Sequence, residues 1–333
     1  MSARPPFIAT PAILSLVAAI GEQVGRLEVS LPPERQLLLR STNRIRTIQG
    51  SLAIEGNTLT LEQVTAVVAG KRVLGSVREV QEVRGAVAAY DQLGAWDPAK
   101  REDLLAAHGV LMAGLVDRPG HFRTTAAGIQ RGDQVVHVAP PAGQVRALMN
   151  DLLAWLKTTG DHPLIAACVF HYEVEFIHPF VDGNGRMGRL WQTLILSQWK
   201  PLFALVPVES LIRDQKAGYY AALNDSNRAG ASTPFIAFML QVIHDTLIVL
   251  DVTPQVTPQV ARLLAVLTED LDRAAIQAAL GLADRKSFTL RYLQPALAAG
   301  LIELTRPDTP SSRLQQYRLT NQGRQNQTNR RKK

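Results

Sequence analysis

Apolar residues recur every three or four positions through almost every segment of this chain, and that periodicity limits the fold more than any other feature. Ile13, Val17, Ile20, Val24 and Leu27 form one such stripe, running straight past Glu22 and Arg26. This is the mark of an amphipathic helix rather than of a secretory signal's unbroken apolar run. The same spacing predicts helices over 11–29, 34–55, 60–70, 99–113, 141–158, 162–177, 185–197, 209–227 and 232–250. Pro32-Pro33 separates the first two, and Thr60 with Gln63 has the spacing of a capping box. One stretch departs from the pattern. "GIQRGDQVVHV" places two short runs around Gly132-Asp133, a two-residue hairpin turn, before "APPAG" stops the strand. The expected fold is therefore mainly α with one short β-hairpin.

Residues 1–95 read as an N-terminal helical region and 96–250 as a second unit. "DVTPQVTPQ" has two Thr-Pro steps, which makes 251–258 the best linker. Helices expected near 259–270, 273–280 and 284–299 precede "LIEL", a Pro-rich loop and "QQYRLT", so 259–320 has the order of a winged-helix domain. Arg285, Lys286, Ser287, Thr289 and Arg291 would face DNA there, although Asp284 opens the helix and Gln294-Pro295 interrupts it. Contact with DNA and contact with protein both stay open. The net charge of +7 is concentrated in 321–333, which carries five Lys and Arg and no acid, leaving +2 for the rest. That tail is polar and is expected to be disordered. Cys168 is the one cysteine, so a disulfide framework is excluded, and its apolar neighbours predict a packed thiol. No stretch was expected to reach the ~18 apolar residues of a membrane span. A cytoplasmic protein with no membrane partner is expected.

The sharpest chemistry lies in "HPFVDGNGRMGR", His178 to Arg189. Gly183-Asn184-Gly185 is a turn opening an apolar helix, where bare backbone and unpaired N–H groups favour an anion. Arg186 and Arg189 stand three apart on the first turns, opposing the helix dipole unless an anion offsets them. Asp182 offers a hard oxygen suited to Mg²⁺ carried by phosphates. Histidine's intrinsic near-neutral pKa suits His178 to the part of a general base, and Phe180 should point inward as an anchor. Each feature alone has an ordinary structural explanation. Twelve residues holding all of them do not.

This segment resembles the complete signature of the Fic family (filamentation induced by cyclic AMP), whose members mostly transfer AMP from ATP to a protein hydroxyl. The likeness also takes in "VVHVAPP" and, more loosely, "YYAALNDSN", so it spans about 30–250 and makes 96–250 a Fic-type catalytic core. It implies His178 as the base that deprotonates the target hydroxyl and Asp182 as the Mg²⁺ ligand. Gly183, Asn184 and Gly185 would hold the α-phosphate, Arg186 the β-phosphate and Arg189 the γ-phosphate, with Met187 and Gly188 in the same nucleotide-binding set. The hairpin residues Val135, Val136, His137 and Val138, counted in the nucleotide-binding set as well, would dock the target segment as an added strand, so that the flap 129–139 receives a target bearing a Ser, Thr or Tyr hydroxyl. Tyr219 and Asn227 would line the nucleotide pocket. A homodimer is a candidate state.

"SLAIEGN" carries the second resemblance. Leu52, Ile48 and Ile45 form a buried stripe ending at Glu55, beside the stop signal Gly56-Asn57. A carboxylate at the negative end of a helix is disfavoured, so Glu55 either tilts into solvent or meets a cation. Ser51, Glu55, Gly56 and Asn57 match the family's inhibitory motif. The match implies that the helix over about 34–56 is inhibitory and that Glu55 pairs with Arg189, removing the γ-phosphate's ligand. Two alternatives remain. The core could serve as the nucleotide sensor of a DNA-binding regulator, or Glu55 could position water to remove AMP in a bifunctional enzyme.

Overall fold

The computed structural model describes residues 4–30, 33–131, 134–252, 258–309, 312, 314–321, 323, 324, 326 and 327. Within these, the side chains of 30, 33–38, 41, 128–131, 134–137, 251, 252 and 258 are outside the description. The expected turn at Gly132-Asp133, most of the 251–258 linker and the end of the basic tail lie outside the described residues. The chain forms two compact units, 1–29 with 43–248, and 30–42 with 249–333.

The first unit contains α1 (Pro11–Ser30), α2 (Pro33–Ile54, which begins in the second unit), α3 (Leu61–Val68), α4 (Val77–Asp91) and α5 (Arg101–Leu111). The hairpin β1 (Gly128–Arg131) and β2 (Gln134–Val138) follows. Then come α6 (Ala142–Thr158), α7 (Pro163–Ile177), α8 (Asn184–Trp199), α9 (Val208–Asp214), α10 (Lys216–Ala229) and α11 (Thr233–Val252). Apolar periodicity accounts for most of them. Ile13, Ile20, Val24 and Leu27 of α1 are buried, and α7, apolar on nearly all sides, is buried along most of its length. Thr60 and Gln63 form the expected capping box, and Ser76 with Glu79 forms another at the start of α4. The helix expected over 209–227 divides at Gln215, whose backbone leaves helical geometry (φ −110°, ψ 30°) with no Gly or Pro to announce it. Cys168 is buried, and burial pushes its thiol well above the usual range.

The membrane expectation needs one correction. Within α11, the stretch Thr233–Leu250 is long and apolar enough to cross a membrane, with a mean hydropathy of 1.6. Half of that stretch is buried inside the protein, where Phe235, Ile236, Met239 and Ile243 join the core. A helix packed against a protein core passes the same test of length and composition as a span.

The hairpin is antiparallel, pairing Ile129 with His137 and Gln130 with Val135, so Val136 is the extra residue of a bulge.

The second unit carries α12 (Pro258–Val266), β3 (Leu271–Asp272), α13 (Arg273–Ala279), and α14 (Arg285–Phe288), which runs through a π-turn (Thr289–Leu293) into α15 (Gln294–Ala298). β4 (Ile302–Leu304) and β5 (Gln316–Leu319) follow, and the antiparallel sheet has the order β3-β5-β4. The two-residue strand β3, closing that sheet's far edge, was not expected. The π-turn has a physical cause, because Pro295 has no N–H and its ring crowds the carbonyl four residues back, so the turn before it widens. Arg285, Lys286 and Arg291 are exposed on this run. The tail expected to be disordered from 321 keeps helical backbone at 321, 323, 324, 326 and 327. There Gly323 N–H caps onto Thr320 Oγ1 (3.1 Å), and Gln327 Nε2 donates to the Leu264 carbonyl (2.7 Å).

Candidate active site

The site is assembled where α7 ends and α8 begins. His178 follows the last residue of α7 in the left-handed region (φ 50°, ψ 59°), the one non-glycine with positive φ among the described residues. That conformation costs an L-residue about 1–2 kcal/mol, so its surroundings must hold it. Phe180 is fully buried as expected and stacks on His108, with ring centroids 3.8 Å apart. His108 Nδ1 accepts from Gly120 N–H (2.8 Å), which leaves Nε2–H to donate to the Asp182 carbonyl (3.0 Å). Burial holds this histidine down at about 4, so it acts as a neutral brace.

Gly183 caps α8 at φ 88°, and a Cβ there would stand 2.7 Å from Met112 Sδ. Both conditions call for glycine. Asn184 is spent on the loop itself. Its Oδ1 accepts from Phe180 N–H and its Nδ2 donates to the Phe180 carbonyl, both at 2.9 Å. What Asn184 and Gly185 offer an anion is therefore backbone N–H at a helix start, where no upstream carbonyl accepts it, while Gly183 N–H already donates to Asp182 Oδ1 (2.6 Å). A Cβ on Gly185 would lie 2.4 Å from Glu55 Oε1 and 3.0 Å from Glu175 Oε1, so two carboxylates crowd this spot. Met187 is buried, and Gly188 lies against the His171 ring.

The two arginines are both held by acids. Arg186, with its side chain 5% exposed, meets Asp182 Oδ1 at 2.9 Å and Glu82 Oε1 at 3.5 Å. Asp182 Oδ2 accepts from Arg78 of α4 (2.9 Å), so both carboxylate oxygens are engaged by guanidinium groups. Asp182 stays partly open to solvent, and no cluster of three or more His, Cys, Asp or Glu suited to a metal exists among the described residues. A Mg²⁺ here fits only as an ion bringing phosphate and water ligands of its own.

Arg189 is almost wholly buried. Its Nη2 donates to Glu55 Oε1 (2.6 Å) and the Ser51 carbonyl (3.1 Å), and its Nε to Ser51 Oγ (3.0 Å). Burial pulls its pKa down, but Glu55, Tyr219 and Glu175 outweigh that and hold it above the usual range. The end of α2 sets this contact. Gly56 N–H bonds the Ala53 carbonyl and Asn57 N–H the Leu52 carbonyl, a Schellman motif with Gly56 at φ 96°. Glu55 therefore sits past the helix with a third of its side chain exposed. It leans off the buried stripe toward Arg189 and meets both halves of the sequence argument, a cation on one edge and solvent on the other. Asn57 Nδ2 donates to Glu82 Oε2 (2.8 Å), tying the same turn to α4.

Tyr219, expected in the nucleotide pocket, lies inside the core. Its hydroxyl donates to Glu175 Oε1 (3.0 Å) and lies 3.0 Å from His171 Nε2. Asn227 Oδ1 accepts from Tyr172. Val138 is exposed, and the side chains of Val135, Val136 and His137 lie outside the described residues. Burial, then the charge of Glu55, push Glu175 up to about 7. Sequence reasoning missed Glu175, His171, His108, Glu82, Arg78 and Arg123. The first two had a signal, polar residues four apart inside the apolar run "CVFHYEVEFI", since buried polar groups require partners.

A protein-family profile described as Fic/DOC family matches residues 98–196, and one described as filamentation induced by cAMP protein Fic-like, C-terminal domain, matches 258–320. The crystal structure of a Fic family protein from Desulfovibrio desulfuricans G20 superposes with a TM-score of 0.71 at 54% identity, covering 96% of this chain and 99% of that one. The C. elegans Fic-1 structure gives 0.54 at 25% identity, covering 71% of this chain and 69% of that one. Among curated proteins, the protein adenylyltransferase Fic of Drosophila erecta is 30% identical over 258 residues, which is 74% of this chain and 50% of that protein. That of Nematostella vectensis is 32% identical over 213 residues, 60% of this chain and 47% of that protein. The chain spans about half the length of these curated relatives.

Proposed function

The chain belongs to the Fic family, and from that premise we propose that it is a protein adenylyltransferase held off in cis by Glu55. The observation that carries this reading is the junction of α7 and α8. A histidine is locked at the helix end, a bare helix start follows within six residues, and two buried arginines stand on the next turns. Curated relatives carry the name protein adenylyltransferase, which supports the same activity.

In the proposed reaction the target's hydroxyl oxygen attacks the α-phosphorus of ATP, the bond to the bridging oxygen breaks, and pyrophosphate leaves. His178 takes the hydroxyl proton. The N–H groups of the α8 start hold the α-phosphate where charge develops, a preorganised anion site of the kind that usually lowers such barriers most. Arg186 and Arg189 hold the outer phosphates. A Mg²⁺ on Asp182 would supply charge neutralisation, with Arg78 giving way to it. The outer edges of the two-stranded hairpin suit the docking of an extended target segment. Glu55 occupies Arg189 and keeps the outer phosphates from settling in the reactive position.

The test uses α-labelled and γ-labelled ATP with the Glu55→Gly chain. Self-labelling from the α position alone, abolished by His178→Ala while ATP still binds, is the expected result. Label from the γ position, or label that persists in His178→Ala, would defeat the reading.

A further inference from the structure

Arg123 lies on the segment before the hairpin and is only 3% exposed. Its donors all go to main-chain carbonyls. Nε donates to His178 O (2.7 Å), Nη1 to Thr125 O (2.8 Å), and Nη2 to Pro140 O (2.5 Å) and Ile177 O (3.2 Å). Its backbone N–H donates to Pro179 O (2.9 Å). It makes no ion pair with a carboxylate among the described residues, and burial alone perturbs it. A buried guanidinium without a counter-ion is costly unless its donors are met, and here four of its five N–H groups are met by carbonyls from three separate segments.

Those segments give the arrangement its meaning. Thr125 stands three residues before β1, and Pro140 two residues after β2. Ala139 N–H bonds the Ala127 carbonyl (3.2 Å), closing the hairpin's base just beyond them. Ile177 and His178 are the end of α7 and the candidate base. The carbonyl of His178 must be turned to suit its left-handed backbone, and Arg123 Nε is the donor that fixes it. Only a planar fork of five donors reaches all four carbonyls at once, and a lysine ammonium does not.

We infer that Arg123 is a positioning residue, a clamp joining both roots of the β1–β2 hairpin to the backbone of His178. The strand that carries the target hydroxyl and the group that takes its proton are then held in one geometry. This deepens the transfer reading above and rests on it.

The test compares Arg123→Lys with its parent in the Glu55→Gly background. Amide exchange over 125–140 and 178–180 is expected to rise about tenfold or more, as loss of charge-assisted hydrogen bonds dictates, with the amides of α8 and of α7 before its last turn unchanged. ATP affinity by calorimetry should stay within about twofold while self-labelling from α-labelled ATP falls about tenfold or more, because a misplaced base slows transfer without weakening nucleotide binding. Unchanged exchange at the hairpin roots, exchange raised evenly across the core, or loss of cooperative unfolding would overturn the clamp. If the Glu55→Gly parent itself takes no label, the transfer reading fails, and the exchange pattern still decides whether Arg123 holds hairpin and His178 together.

Discussion

Replacing Glu55 by Gly removes the carboxylate from Arg189 and leaves that guanidinium with Ser51 Oγ, the Ser51 carbonyl and the nearby Glu175. Removing one partner of a fully buried pair costs about 3–5 kcal/mol. Glu55 keeps a third of its side chain in water, and exposed pairs contribute far less, so about 1.5–3 kcal/mol is the fitting range for this contact. That energy currently opposes any phosphate that needs Arg189. Its removal should therefore raise the rate of self-labelling from α-labelled ATP on the order of 10- to 100-fold. Glu55→Gln keeps a neutral acceptor at the same place and should fall between wild type and Gly. The assay is the initial rate of label incorporation at fixed ATP. Equal rates in all three chains, or a Gln variant faster than Gly, would refute the reasoning.

Glu175→Gln tests the buried acid. Because the folded carboxyl titrates at about 7 and the unfolded one near 4.5, ionising it opposes folding. Stability should fall as pH rises between those values and level off above, by on the order of 2–3 kcal/mol. The Gln variant should show a flatter melting-temperature profile from pH 5 to 8, and an unchanged slope would contradict the assignment. Gly183→Ala meets both an unfavourable φ and Met112 Sδ, and denaturant unfolding should show a loss of about 2 kcal/mol. Asn184→Ala leaves the Phe180 N–H and carbonyl unpaired in the core and should cost about 2–3 kcal/mol in the same measurement, with Asn184→Asp, which keeps the acceptor, losing less.

Much of this site was legible in the sequence because its chemistry is local. His178, Phe180, Asp182 and the two arginines are fixed by one helix end and one helix start, and residue type and spacing describe both. Glu55 was legible for the same reason, as a charge placed against the dipole next to a glycine stop. The remainder depends on distant segments meeting. Nothing in "GHFRTT" marks Arg123 as the partner of four carbonyls, and nothing in "VREVQEV" shows Arg78 and Glu82 reaching Asp182 and Arg186. For Tyr219, likeness of sequence suggested a pocket wall, and packing places its ring in the core with its hydroxyl on Glu175. In the fold, apolar periodicity found most helices, while the break at Gln215 and the strand Leu271–Asp272 come from tertiary contacts that no local pattern records.

The central claim is that His178 drives AMP transfer and that Glu55 restrains it. Intact-protein mass spectrometry after incubation with ATP and Mg²⁺ tests it most directly, comparing wild type, Glu55→Gly, and Glu55→Gly with His178→Ala. The account predicts a gain of whole AMP units in Glu55→Gly, little in wild type and none in the double variant. AMP added equally to all three chains, or to none, would contradict it.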